Sequence, residues 1–247
     1  MQAIILLAGY GSRLNRDDLD HKCQLPFGEE TLLSRQLDSL KKLGVTKTFL
    51  ILGHNKDLLK RYALDLGLDM PLEFIENDLY ASTGNTLSMV LGLQEISEDV
   101  LILDGDVFYP QKIFQDYARH SAENSFAIVP THIDDEECSK VLLKKDGTIA
   151  AFITKRLLTD EEKAKYQFAG EAIGFFKLSK DSADRFIAMY QQDESRLSKT
   201  LWEIPFSQFA QFVDIAPWSI SEPGCFEIDT QEDYSKALTW SQNHPEA

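Results

Sequence analysis

Five residues near the start of the chain have the chemistry to handle phosphate. In "LLAGYGSRL" an apolar run gives way to Gly9 and Gly11, then Ser12 and Arg13, and Lys22 follows nine positions after Arg13. A strand that ends in a glycine-rich turn presents bare backbone N–H groups beyond the carboxyl edge of a sheet, where open α/β sheets bind their ligands. That arrangement cradles phosphate. Two well-known glycine patterns do not fit: the dinucleotide fingerprint needs a third glycine where Leu14 stands, and Gly, four residues, then Gly-Lys-Ser/Thr is absent. Taken alone, the Gly-x-Gly is weak evidence, and its plainer reading is a tight turn. A second set is acidic. Asp104 and Asp106 follow the apolar "VLIL", and Asp229 closes "CFEID". Mg²⁺ takes one or two such carboxylates while phosphates and water complete its octahedron. The plainer readings are a turn at "DGD" and a helix cap at Asp229. His21, His54, His120, His132 and His244 are scattered, and no Ser/His/Asp or Cys/His set is visible.

Composition limits the partners. A formal net charge of −15 repels nucleic acid and anionic membrane surfaces at long range, whereas a small anion can still bind where a few cations and N–H groups converge. Cys23, Cys138 and Cys225 are odd in number and share no short spacing, so neither a disulfide framework nor a zinc site is indicated, and a reducing cytoplasm is expected. The N-terminal apolar run is too short for a membrane span and lacks preceding basic residues, so it is expected to be a buried strand, not an anchor or signal peptide.

The elements that must position these residues alternate. Apolar runs at 3–8, 48–52, 72–75, 100–103 and 126–129 predict strands covered on both faces. Helical patterns fall between them at 31–43, 56–66, 86–96 and 110–120; in the first, Leu32, Leu33, Leu37, Leu40 and Leu43 form a stripe that Gly44 ends. The second half predicts a hairpin about Asp146 and Gly147, a helix, the strand "EAIGFFKL", a helix over 180–191 and a short strand at 212–215. With 43% hydrophobic residues to fill a core and no linker, repeat or low-complexity tract, the chain is expected to be one α/β domain over 1–247 with a mixed, mostly parallel sheet. Its halves divide near residue 125.

The opening segment resembles that of nucleotidyltransferases that couple a nucleoside triphosphate to a phosphorylated sugar or alcohol, whose pattern is Leu-x-Ala-Gly-x-Gly-x-Arg followed by Pro-Lys. Here the lysine sits in "HK", a departure shared with the branch similar to phosphocholine cytidylyltransferases. "ENDLYASTGNTLSM", "LILDGDVFY", "GEAIGFFKL" and "CFEIDTQEDY" match further segments of that branch in order. The resemblance implies a GT-A-like three-layer α/β/α nucleotide-binding fold, with the nucleotide in the first half and the acceptor in the second. It also implies attack of an acceptor phosphate or phosphonate oxygen on the α-phosphorus, with pyrophosphate leaving. That nucleophile is already ionised at pH 7, so no general base is needed and catalysis consists of alignment and charge neutralisation. On this reading Lys22 holds the α-phosphate, while Arg13 and the N–H groups of Gly11 and Ser12 hold the leaving phosphates. Asp106 and Asp229 bind Mg²⁺, supported by Asp104.

Leu7, Ala8 and Gly9 line the nucleotide through their backbone, with Asn77, Thr83 and Asn85 near the base; Asn85 could instead cap the helix that follows. For the acceptor, Glu171 stands where sugar-using relatives place an asparagine, and a carboxylate favours a cation. Glu227 adds charge, Trp218 offers a ring face to a quaternary ammonium, and Lys155 suits the acceptor phosphate. Ala172 departs from the aromatic residue usual after Gly-Glu in the branch. The favoured partners are CTP and phosphocholine, phosphoethanolamine or an amino-phosphonate, acted on by a monomer or homodimer. The alternatives are a sugar-1-phosphate nucleotidyltransferase, a silent nucleotide-binding regulatory domain, and a glycosyltransferase using "DGD" as its metal motif. The glycine loop and Lys22 argue against the last, which does not activate an α-phosphate.

Overall fold

A computed structural model describes residues 1–11, 14, 18–118, 120–220 and 224–244. The first half comprises β1 (Gln2–Leu7), β2 (Pro26–Phe27), β3 (Glu30–Thr31), α1 (Leu32–Lys42), β4 (Thr48–Leu52), α2 (Lys56–Asp65), β5 (Leu72–Glu76), α3 (Asn85–Leu93), β6 (Val100–Asp104), β7 (Val107–Phe108), α4 (Gln111–Ala118) and β8 (Ser125–Val129). The second comprises β9 (Lys140–Leu143), β10 (Ile149–Ile153), α5 (Asp160–Lys165), β11 (Gln167–Leu178), α6 (Lys180–Gln191), α7 (Glu194–Leu197), α8 (Glu203–Phe209), β12 (Ala216–Ser219), β13 (Phe226–Glu227) and α9 (Gln231–Asn243).

The main sheet has nine strands among the described residues. Strands β5, β4, β1 and β6 run parallel, joined by helical crossovers, and β11 closes antiparallel on β6. The long β11 also pairs with β8 and β9, and β9 forms the expected hairpin with β10 about Asp146 and Gly147. Strand β12 lies parallel to β8 at an edge, which is why Pro217 is tolerated within it: the missing N–H faces no partner strand. The short strand expected at 212–215 is thus found at Ala216–Ser219, and Phe212 is exposed instead.

Two apolar layers flank the sheet, as the period of two in a strand requires. Along β1, Ile4 joins Met89, Val90, Phe186 and Phe206 of α3, α6 and α8 on one face, whereas Ala3, Ile5 and Leu7 join Leu37, Leu59 and Phe114 of α1, α2 and α4 on the other. The result is the expected three-layer α/β/α fold with a mixed, mostly parallel sheet. Helix α1 shows how local chemistry sets a boundary. Thr31 accepts from the N–H of Ser34 while the Ser34 hydroxyl accepts from the N–H of Thr31, and Gly44 ends the segment at φ 79°. A third, smaller cluster of Leu14, Leu25, Phe27, Leu32, Phe108, Ile228 and Tyr234 fastens the C-terminal segment beneath the lysine-bearing one. The Tyr234 hydroxyl donates to the carbonyl of Pro26 at 2.6 Å. Among the described residues, no helix is long and apolar enough to cross a membrane.

One glycine is dictated by this architecture. Gly174 sits in β11 at φ 61°, where the register with β8 shifts, and a Cβ there would lie 2.0 Å from Asp104 Oδ2. Both backbone strain and overlap oppose a larger residue. Gly174→Ala is expected to cost about 2–4 kcal/mol in urea unfolding; a loss under about 1 kcal/mol would show that β11 and Asp104 move apart without penalty.

Candidate active site

A cavity of about 520 Å³ opens at the carboxyl end of the parallel strands. Its wall includes Ala8 and Gly9 after β1, Asn77 after β5, Gly84 and Asn85 at the start of α3, Asp104 and Asp106 after β6, and Glu171 to Gly174 of β11. This is the edge where an open α/β sheet leaves room for a ligand.

The C-terminal motif reaches this edge through a two-stranded ladder. Val107 and Phe108 of β7 pair antiparallel with Glu227 and Phe226 of β13, and the N–H of Ile228 donates to the carbonyl of Asp106 at 2.9 Å. Carboxylate oxygens of Asp106, Glu227 and Asp229 consequently lie within 4.8 Å of one another. Lys22 Nζ sits among them, 2.5 Å from Asp106 Oδ2 and 3.1 Å from Asp229 Oδ1. Burial alone would lower the lysine's pKa, but Asp106 and then Asp229 outweigh it and hold the ammonium above its ordinary value. Lost hydration pushes the Glu227 carboxyl up to about 8, helped by Asp106 and Asp229, although its side chain keeps access to solvent across the cavity. Asp104 is driven well above the usual carboxylate range, first by burial and then by Asp106 and Glu227; the Trp202 side chain offsets part of this with a hydrogen bond. Such crowding of hard oxygens fits a divalent cation of the Mg²⁺ type, which would relieve the repulsion that adds to the rise at Glu227. Asp229 is not the cap of α9: Thr230 fills that role, accepting from Asp233.

Local structure aims Lys22 at this point. His21 is buried, its Nδ1 accepts from the N–H of Cys23 at 3.1 Å, and its Nε2 therefore carries the proton that bonds to the carbonyl of Gly9 at 3.1 Å. One neutral imidazole thus ties the glycine loop to the lysine segment. Gly11 lies beyond, at φ 61°, where a Cβ would come within 3.2 Å of the Lys22 stem. The "HK" pair that replaced Pro-Lys is accordingly a buried strut, a role its loop-like surroundings in the sequence did not reveal.

The remaining expected residues divide. Asn77, Thr83 and Asn85 line the cavity, as do Lys155, Glu171 and Glu227. Asn77 is already engaged by Ser88 and Leu79, and Thr83 by the carbonyl of Leu79. Asn85 does not cap α3; Gly84 takes the cap position, and Asn85 Oδ1 accepts from the N–H of Trp202 at 2.9 Å. The Leu7 side chain points into the apolar layer under α1. Lys155 holds a left-handed backbone, φ 51°, rare for a non-glycine residue. Trp218 is not brought to the cavity: it packs at 4.8 Å against Tyr117 of α4, because its place in β12 turns the ring onto the apolar face. Trp202 and Glu203 stand in the cavity wall in its stead. Nothing in their spacing announces this, since Glu203 meets its partner Ser139 across 64 residues. Ser12 and Arg13 lie outside the described residues.

A family model of the MobA-like NTP transferase domain matches residues 3–194. The chain belongs to this family. It is similar to a CTP:phosphoglutamine cytidylyltransferase from Campylobacter jejuni, 26% identical over 77% of this chain and 78% of the relative. It is also similar to a CMP-5'-(3-aminopropyl)phosphonate synthase from Streptomyces rubellomurinus, 27% identical over 65% of this chain but only 24% of that longer protein. The solved CTP:phosphocholine cytidylyltransferase from Streptococcus pneumoniae shares the fold, with a TM-score of 0.73 and 18% identity over 97% of this chain and 98% of that one. This MobA-like chain is therefore a nucleotidyltransferase, and the family resemblance of its motifs holds.

Burial lowers the His21 pKa to about 4, with Lys22 adding to the effect. The unfolded chain takes up this proton near pH 6.5, the folded one only near 4, so acid favours unfolding: His21's contribution is complete above about pH 7 and is lost as the pH falls through 6.5 toward 4. Relative to His21→Asn, wild-type stability is expected to fall by on the order of 2–3 kcal/mol across that window. Chemical denaturation at several pH values checks this, and a constant difference would contradict the neutral buried imidazole.

Proposed function

We propose that this transferase moves CMP from CTP to a phosphorylated small molecule bearing a cationic group, such as phosphocholine, phosphoethanolamine or an aminoalkyl phosphonate, and releases pyrophosphate. The observation that carries the reading is the acidic wall of the cavity, where Glu171, Glu203 and Glu227 face only one lysine of the described lining, Lys155, while Lys22 is paired with Asp106 beside the glycine loop. An acceptor that brings only a phosphate would find Lys155 as its one partner among several carboxylates, whereas a cationic head group pairs with the carboxylates themselves. The activities for which the two cytidylyl-type relatives are named support the choice of base and the class of acceptor. A sugar-1-phosphate is the second reading, favoured by the general likeness of the nucleotide half, but Glu171 stands where hydroxyl-binding amide chemistry would be expected.

The residues divide the work as follows. Asp106 and Asp229, with Glu227 beside them, would hold Mg²⁺, which when bound neutralises phosphate charge. Lys22, now paired with the same two aspartates, would turn its ammonium to the α-phosphate oxygens and stabilise the charge that builds there. Arg13 and the N–H groups of Gly11 and Ser12 would hold the leaving phosphates, and Ala8, Gly9, Asn77, Thr83 and Asn85 would border the nucleoside. Lys155 would receive the acceptor phosphate. No side chain need remove a proton, since the attacking oxygen is ionised, consistent with a site whose buried histidine is locked neutral. The enzyme would act in the cytoplasm, as a monomer or homodimer.

Pyrophosphate release across four nucleoside triphosphates and a panel of acceptors tests the function: CTP with amine-bearing phosphates should exceed every sugar-1-phosphate, and a preference for glucose-1-phosphate would overturn the proposal. Lys22→Ala should reduce kcat by roughly 10²- to 10³-fold, by analogy with deleted oxyanion donors. A rise in KM alone would reduce Lys22 to a binding contact. Asp106→Ala and Asp229→Ala should each abolish turnover in a folded protein, as chelation should in the wild type; near-normal activity of either variant would remove that residue from the metal site.

A further inference from the structure

Ser139, just before β9, acts on two carboxylates: its hydroxyl donates to Glu203 Oε1 at 2.6 Å, and its backbone N–H favours the ionised form of Glu171. Glu203 is 7% exposed, yet its other oxygen, Oε2, has no hydrogen-bond partner although the residue lines the cavity. Such an orphan is costly and is normally supplied with a donor. The cation nearest in effect, Lys155, is exposed at the rim and forms no ion pair with Glu203 among the described residues.

Aromatic faces are scarce in the same wall. Among the described residues only Tyr80 and Trp202 contribute rings to the cavity lining. Trp202 is 3% exposed and packed within 5.7 Å of Phe126, Phe152 and Phe176, so its ring is spent on the core. A quaternary ammonium has no N–H to donate and is recognised by aromatic faces that surround it. A primary ammonium carries three N–H donors and needs acceptors.

We infer that Glu203 is a specificity residue for the acceptor: Oε2, alongside Glu171, accepts hydrogen bonds from a primary ammonium, so that primary amines are used in preference to N-methylated ones. This rests on the cationic-acceptor reading above and sharpens it. Every N-methyl group removes a donor and adds bulk against a buried carboxylate oxygen that can only accept. A site built to bind N–H discriminates strongly against analogues that lack it.

The test is a graded series with CTP: phosphoethanolamine, its N-methyl and N,N-dimethyl derivatives, and phosphocholine. Wild-type kcat/KM is expected to fall along the series, by about 10-fold or more from first to last, mostly through the acceptor's KM. Glu203→Gln keeps an acceptor for Ser139 but turns a donor toward the amine; it should lower kcat/KM for phosphoethanolamine by about 10-fold or more, flatten the series and leave the KM of CTP unchanged. The wild-type series decides the matter even if the variant does not fold. Equal or better use of phosphocholine by the wild type, or an unchanged preference in a folded Glu203→Gln, would overturn the role of Glu203 while leaving the cationic-acceptor reading intact. Failure of all four amines beside turnover of a sugar-1-phosphate would instead remove that reading and the inference with it.

Discussion

The structure depends on one ammonium group. Lys22 stands between Asp106, from the middle of the chain, and Asp229, from near its end, in a protein whose net charge is already −15. Four carboxylates gather at this point when Asp104 and Glu227 are included; burial first, and then their mutual repulsion, raises the pKa of both. Without a cation the cluster would push apart the elements that form it. Breaking a buried pair of this kind by removing one partner commonly costs several kcal/mol, because the other charges stay behind. The small core of Phe27, Phe108, Ile228 and Tyr234 supplies the apolar contact that keeps the segments together against that strain.

The same constraint explains the order of parts along the chain. The parallel strands deliver the glycine loop and the "DGD" turn to one edge, as the alternation of apolar runs and helical stripes indicated. Periodicity was enough for β4 and α6, whose bounds coincide with the expected 48–52 and 180–191. It failed where tertiary context decides. Residues 212–215 were apolar enough for a strand, but the pairing with β8 is made by Ala216–Ser219, because an edge strand accommodates Pro217. The ladder between β7 and β13 is two residues long on each side and carries no period to detect, yet it brings Asp229 to Asp106.

Aromatic residues show the limit most clearly. Trp218 and Trp202 are alike in composition, and only the direction each backbone imposes separates a ring packed against Tyr117 from one in the cavity wall. Part of the acidic character of the cavity wall was legible from Glu171 and Glu227. Glu203 was not, since its partner Ser139 lies 64 residues away, just before β9. His21 was hidden for a related reason: the bond of its ring to Gly9 exists only once the loop folds over it, and its burial then makes a residue that ordinarily titrates near neutrality into a fixed strut.

A positioned lysine, a glycine loop and an acidic cluster converge at the carboxyl edge of the parallel strands; the proposed function puts a nucleotide's α-phosphate there, and the fate of that phosphorus is the most direct test of the account. CTP labelled separately at the α- and γ-phosphorus, incubated with an amine-bearing acceptor phosphate, should place the α label in the acceptor product and the γ label in pyrophosphate. Transfer of the γ label to the acceptor, with the α label left in CDP, would contradict nucleotidyl transfer at this site.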